Sequence, residues 1–498
     1  MRRPAISIAL LMGACALAVP AHADTLKEAL TEAYQDNPQL EAARANQRAL
    51  DESVVIQRAA GLPSVTTDGG YTDFIQNSQA SFVSPARAAT ANLNLAVPLY
   101  QGGAVKNGIR AADSRIDAGR ADLRGTESGL FTQVVAAYMD VIQNEAIVGL
   151  TANNVDVLGV NLEATSDRFQ IGDVTRTDVA QSESRLALGR GDLRTAQANL
   201  IAARERYVEL VGDAPDNLQP PPPLPGLPDT VEGAVDVALE NNPDLIAARE
   251  RAQAADYDIA VAGASRLPQI SVVGGPGYTN YLGSLGTVPG SGTTADQDST
   301  SLQAGVRLSL PIFQGGRPAA QQRQATARAE SALEQVIAAE RNVIQQVRAA
   351  YSSWRASEAI IASTQTAVDA ASLSLEGVRA ENTVGNRTIL DILDAQQELL
   401  RAQVQLVTAR RNAYVAGFSL LAAMGRAEAR DLGLGDGGPL YDPVANYDRV
   451  KGIYWDWQRD PDPVASSTST VDIPPQDAEI PEEIIRETTS EPSIFSPQ

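Results

Sequence analysis

Two carboxylates three residues apart, Asp391 and Asp394, and a third in a similar setting earlier in the chain, Asp178, are the side chains whose type and spacing could do chemistry. Acids so placed suit general acid–base work, an all-oxygen cation site, or the charged mouth of an aqueous passage. Little else is available. The only cysteine is Cys15 and the only histidine is His22, and both lie in an N-terminal stretch that reads as a secretory signal. Arg2 and Arg3 precede an apolar run from Ala5 to Val19, and Ala21-His22-Ala23 supplies the small-x-small cleavage site. Met12-Gly13-Ala14-Cys15 is a rival lipoprotein box, but it lacks a good aliphatic residue three before the cysteine. Cleavage after Ala23 removes every thiol and imidazole. That excludes disulfides, Ser-His or Cys-His nucleophile pairs, and metal or haem sites built on those groups.

The acids also have a purely structural reading. Thr175 with Asp178, and Thr388 with Asp391, each match a capping box opening a helix, with Gly172 and Gly385 placed as left-handed caps of the preceding one. Asp394 differs, because its counterpart in the chain's internal repeat is Gln181, so no shared cap requires it. Like charges on one helix face are costly unless they meet water or a cation.

The repeat that relates these residues runs through most of the chain. Asn37-Pro38 and Leu62-Pro63 recur as Asn242-Pro243 and Leu267-Pro268 at an offset of 205. Val97-Pro98-Leu99-Tyr100-Gln101-Gly102-Gly103 recurs as Leu310-Pro311-Ile312-Phe313-Gln314-Gly315-Gly316 at an offset of 213, which Asp178 and Asp391 keep. The eight extra residues therefore fall in one window, as expected of a loop tip, and predict extended loops near Ser78–Ala88 and Gly283–Ser299.

Each repeat reads helix, helix, two strands, long helix, helix. The strands rest on period two: Leu302, Ala304, Val306 and Leu308 alternate with Gln303, Gly305, Arg307 and Ser309. After Gly103 the period changes to steps of three and four through Phe131, Val134, Tyr138 and Val141, with Val347, Tyr351 and Trp354 in the same register later. Those aromatics read as packing residues of a helical seam. A helix from Ala104 to Gln170 would be roughly 100 Å long, a rod or the wall of a tube. Segments 38–60 and 175–211 could stack end to end beside it. Four strands per chain are too few to close a barrel and need partners from other copies.

The organisation is thus a signal peptide at 1–23, a first repeat at 24–212, a Pro-rich linker at 213–229 and a second repeat at 230–435. Residues 436–460 then form an equatorial segment, and 461–498 an acidic tail expected to be disordered. Without Arg2 and Arg3, 38 basic residues stand against 61 acidic ones, a balance that argues against nucleic acid as a partner. No helical membrane anchor follows the signal.

The stretches Arg168-Phe169-Gln170-Ile171-Gly172-Asp173-Val174-Thr175-Arg176-Thr177-Asp178-Val179 and Thr383-Val384-Gly385-Asn386-Arg387-Thr388-Ile389-Leu390-Asp391-Ile392-Leu393-Asp394-Ala395 resemble the two periplasmic tip hairpins of the TolC-type outer-membrane factors. The Asn-Pro helices, Leu-Pro strand entries and Gln-Gly-Gly corners are similar too, so the resemblance covers about residues 24 to 435. It implies a mixed fold, a homotrimer with a long α-helical coiled-coil barrel in the periplasm and a transmembrane β-barrel in outer-membrane lipid. The implied function is the exit duct of a tripartite system, passing secreted protein or small molecules from an inner-membrane transporter. A periplasmic adaptor would dock at the tips formed by Gly172, Asp173, Val174, Gly385 and Asn386. The resemblance also makes Arg387 a tether to the neighbouring protomer, with Asp178 or Thr177 as acceptors, and Asp391 with Asp394 an acidic ring of six carboxylates. Asn382 departs from relatives that carry an aromatic tether there. No cofactor, metal or catalytic residue is implied. The alternatives are a soluble periplasmic coiled-coil scaffold, which would not need amphipathic strands with Gly-Gly corners, and a carboxylate-only enzyme, which would need a pocket fold.

Overall fold

The computed structural model describes residues 24–75, 84–437 and 439–480. The signal peptide, part of the first predicted loop (residues 76–83) and the tail beyond 480 lie outside the described residues. Two copies of one unit follow each other. The first has α1 (Leu26–Asp36), α2 (Pro38–Ala59), β1 (Ser64–Asp73), β2 (Arg87–Gln101), α3 (Ala104–Gln170) and α4 (Arg176–Val211). The second has α5 (Val231–Asn241), α6 (Pro243–Ala264), β3 (Gln269–Asn280), β4 (Asp298–Ser309), α7 (Arg317–Thr383) and α8 (Ile389–Ala423). The short α9 (Ala445–Val450) lies in the C-terminal segment.

The Asn-Pro motif is the hinge of each unit. Proline at the first helical position cannot extend the preceding helix. The Asn37 side chain accepts from the Gln39 amide at 2.9 Å and donates to the Leu210 carbonyl at 2.9 Å. Asn242 does the same with the Asp244 amide at 3.0 Å and the Ala423 carbonyl at 2.9 Å. One buried amide thus caps the start of a short helix and receives the end of the returning one, so α2 and α4 stack end to end beside α3, and α6 and α8 beside α7.

The strands form one antiparallel sheet in the order β1-β2-β3-β4, leaving β1 and β4 as open edges. Ser64 faces Ala96, Ala89 faces Asn280, and Gln269 faces Ser309, with an irregularity between Pro98 and Tyr100. The strands turn into the long helices at the Gly-Gly corners, where both glycines of each pair have positive φ (63° and 83°, then 60° and 81°). A Cβ on Gly102 would lie 2.7 Å from the Ala264 carbonyl oxygen, so the corner needs glycine for space as well as conformation.

Both long helices span 67 residues. The main core gathers on α3, where Phe131, Val134, Tyr138 and Val141 are fully buried among α1, α4 and α8. The seam aromatics also fasten the linker: the Tyr138 hydroxyl donates to the Gln219 carbonyl at 2.6 Å and that of Tyr351 to the Asp229 carbonyl at 2.8 Å. α7 is covered on one side only. It buries Ala329, Val343, Val347, Val368 and Leu375 and leaves Leu333, Ile337, Ile360 and Leu373 exposed.

The C-terminal segment departs from the sequence reading. Residues 461–480, expected to be disordered, lie against the helices: the Thr468 amide donates to Asp36 at 3.0 Å, that of Gln476 to Glu205 at 2.9 Å, and Arg204 binds Asp477 at 3.1 Å. Low apolar content concealed this because the tail is held by hydrogen bonds to helix-borne carboxylates. Nor do residues 436–460 stay at one level. From Tyr441, whose amide donates to the Tyr34 hydroxyl at 3.0 Å, they climb α2 as far as Arg58.

Candidate periplasmic gate

The far ends of the two helical hairpins are built alike. After α3 the chain turns through Gly172 (φ 82°), and after α7 through Gly385 (φ 80°). The Thr175 amide and hydroxyl both donate to Asp178 Oδ2 at 2.8 Å, while Thr175 Oγ1 accepts from the Asp178 amide. Thr388 and Asp391 repeat this, also at 2.8 Å. Both capping boxes therefore form. Donation from threonine to the ionised carboxylate holds Asp178 and Asp391 below the usual carboxylate range.

Arg387 donates to Glu381 Oε2 at 2.8 Å and lies 3.8 Å from Asp391 Oδ1. Its chief partner within one chain is thus Glu381, on the preceding helix, and not Asp178 or Thr177, which the resemblance assigns to a neighbouring protomer. Asn382, where an aromatic tether is missing, donates to the Arg387 carbonyl at 2.7 Å and so braces the turn internally. Asp173 takes a hydrogen bond from Arg168 at 2.8 Å. Thr177, Gly172, Gly385 and Asn386 stand exposed at the extremity, and Val174 is half-buried.

Asp394 is not a free acid. Arg185 Nη2 reaches its Oδ1 at 2.6 Å, linking α4 to α8 across the repeats. Beside the bridge Leu158, Leu186 and Leu393 form a small apolar cluster, and Gln396 pairs with Asn154 at 3.4 Å. Sequence reasoning missed Arg185. The signal was present, since the position 213 residues later is Glu398, so the repeats differ in charge at both pairs: Gln181 gives way to Asp394, and Arg185 to Glu398.

No helix among the described residues is long and apolar enough to cross a membrane. What the chain offers a bilayer is its sheet, whose edge strand β4 leaves Leu302, Val306 and Leu308 exposed. An open-edged sheet set on paired helices roughly 100 Å long, with exposed hairpin ends, is one subunit's share of a channel wall. The chain belongs to the outer membrane efflux protein family, which it matches over residues 29–213 and 234–426. It is 34% identical over 453 residues to the outer membrane efflux protein BepC of Brucella suis, covering 91% of this chain and 96% of that one. It is 26% identical to the outer membrane protein TolC of Vibrio cholerae, covering 82% and 92%. The fold is that of the Campylobacter jejuni CmeC outer membrane channel, with a TM-score of 0.70 at 16% identity over 85% of this chain and 88% of that one. The protein is an outer-membrane exit duct with a periplasmic helical tunnel.

Proposed function

We propose that three copies of this chain complete the duct, each giving four strands to a closed barrel and two helical hairpins to the tunnel. The observation that carries this is the pairing of two open sheet edges with the uncovered apolar face of α7, since both require a neighbour. The passage is shut at the hairpin tips. Arg185–Asp394 bolts the two hairpins of one chain, and Arg387 swings from Glu381 to Asp178 or Thr177 of the next protomer. Asp391 and Asp394 ring the mouth and concentrate cations there. An adaptor docking on the Gly172-Asp173-Val174 and Gly385-Asn386 turns would draw the hairpins apart. The inner-membrane pump chooses the cargo, and the efflux name of the Brucella relative supports small molecules. The tip acids serve caps and bridges here, so catalysis has no part in this reading. Native mass measurement in mild detergent tests the assembly. A trimer is expected, and a stable monomer or dimer overturns it.

A further inference from the structure

The C-terminal segment packs on the helices through Tyr447 and the buried Val450, but packing does not explain the aromatic turn at its far end. It leaves Tyr34 and Arg44, where the Arg44 guanidinium lies 5.1 Å from the Tyr441 ring centre, and follows α2 to Arg58, fourteen residues and roughly 21 Å nearer the sheet. Asn446 fastens it to Asp51 on the way, at 2.8 Å. It then turns and descends, with Arg449 gripping Asp460 through two bonds of 2.9 Å and Ser466 reaching Glu41 at 3.1 Å. At the apex stand Tyr454, Trp455 and Trp457, which are 65%, 69% and 76% exposed. Large aromatic surfaces left in water forfeit the burial that ordinarily stabilises them.

The height of this apex is fixed by Arg58. Its guanidinium donates to the Lys451 and Ile453 carbonyls and lies 4.5 Å from the centre of the Tyr454 ring. Two residues on, the Ala60 carbonyl accepts from Gln101, the last residue of β2. The aromatic turn therefore sits within about one helical turn of the strand bases. There Leu99 and Tyr100, with Ile312 and Phe313 of the second repeat, are also exposed. Tryptophan and tyrosine favour the depth at which a bilayer passes from acyl chain to headgroup. Arg58 is thus taken up within the turn, by two carbonyls and the Tyr454 ring, and leaves the apex aromatics facing outward.

We propose that the Tyr454–Trp457 turn is a membrane-interface anchor, seated in the phospholipid headgroups of the periplasmic leaflet and continuous with the lipid-facing base of the barrel. The tail is thereby hung from the membrane before it runs back along the helices. The chain has three tryptophans, so Trp354→Phe leaves only Trp455 and Trp457 as emitters. The full-length protein would be reconstituted in phosphatidylethanolamine–phosphatidylglycerol vesicles, plain or carrying bromine near the top of the acyl chain. Brominated lipid should at least halve the remaining emission, and aqueous iodide should have little effect. The difference in emission between the unaltered protein and a Trp455→Phe, Trp457→Phe variant gives the same reading if Trp354→Phe fails to fold. Emission indifferent to bromine but quenched by iodide would put the turn in water. Emission indifferent to both would put it against another protein surface. Either result overturns the anchor.

Discussion

Arg185 and Asp394 belong to different repeats and lie 209 positions apart, yet their side chains meet at 2.6 Å, so this bridge ties the two hairpins of one chain near their tips. Both partners are partly exposed, and such pairs contribute roughly 0–1 kcal/mol each. Arg185→Asp should therefore raise single-channel conductance modestly, and the charge-swapped double variant with Asp394→Arg should restore it. Equal conductance in the unaltered, single and double proteins would remove the bolt from the gate.

The neighbouring tether predicts a separate effect. Arg387→Ser frees Glu381 and should raise conductance without altering ion preference. Combined with Arg185→Asp it should act additively, because the two links lie on different surfaces. Planar-bilayer recordings of the four proteins form the cycle that checks this.

Cation preference should depend on the acids themselves. Asp391→Asn with Asp394→Asn is expected to weaken cation selectivity and relieve block by multivalent cations entering from the tips, measured as a shift in reversal potential. Asp391 is held below its ordinary pKa by Thr388, so it stays ionised as pH falls and its charge is lost only below the usual carboxylate range. Selectivity should therefore survive mild acidification. Selectivity unchanged in the double variant would leave Asp391 as a helix cap and Asp394 as a bridge partner alone.

Glu127 gives the folded protein a pH dependence of the opposite sense. Burial, helped by the nearby Glu428 carboxylate, pushes its carboxyl up to about 7, against a hydrogen bond from the Ala429 amide and the positive charges of Arg44 and Arg124. Its folded pKa exceeds its unfolded one, so the folded state binds the extra proton. Stability from this group is full below the unfolded value and declines as pH rises through about 7. Glu127→Gln should flatten that decline between pH 5 and pH 8, by up to about 3 kcal/mol per chain. Thermal midpoints across the range, with and without the substitution, decide it.

The buried Glu145–Arg204 pair, 2.7 Å apart, is roofed by the tail through Asp477 and Glu479. Arg204→Ala strands a buried carboxylate and should cost about 3–5 kcal/mol. Truncation after Asp460 leaves the pair intact and merely wets it, so the loss should be much smaller. Chemical denaturation of the three forms ranks them, and equal losses would show that the tail holds the structure by another route.

The long helices were legible because their apolar residues repeat in steps of three and four over many turns, and the hairpin ends because Thr-x-x-Asp states both sides of a capping box. The C-terminal path was not. Its grip comes from Thr468, Gln476 and Asp477 meeting Asp36, Glu205 and Arg204, polar pairings that leave no periodic trace in sequence. Arg185 escaped for a related reason: charges belonging to different repeats become partners only once α4 and α8 are side by side. The uneven burial of α3 and α7 was hidden too, since matching seams gave no sign that one helix would lie inside the subunit and the other at its margin.

The equality of α3 and α7 at 67 residues has a consequence for how such a chain can change. Deleting one residue from either would rotate everything beyond it by about 100° and lift that hairpin about 1.5 Å above its twin. The seam would then face away, and the capped turns would no longer share a plane. The sheet end has no such constraint, and the second repeat's eight extra residues have accumulated there. Reach across the periplasm is therefore quantised: viable descendants gain or lose whole heptads, in both repeats together, while the surface turned to the outside world drifts one residue at a time.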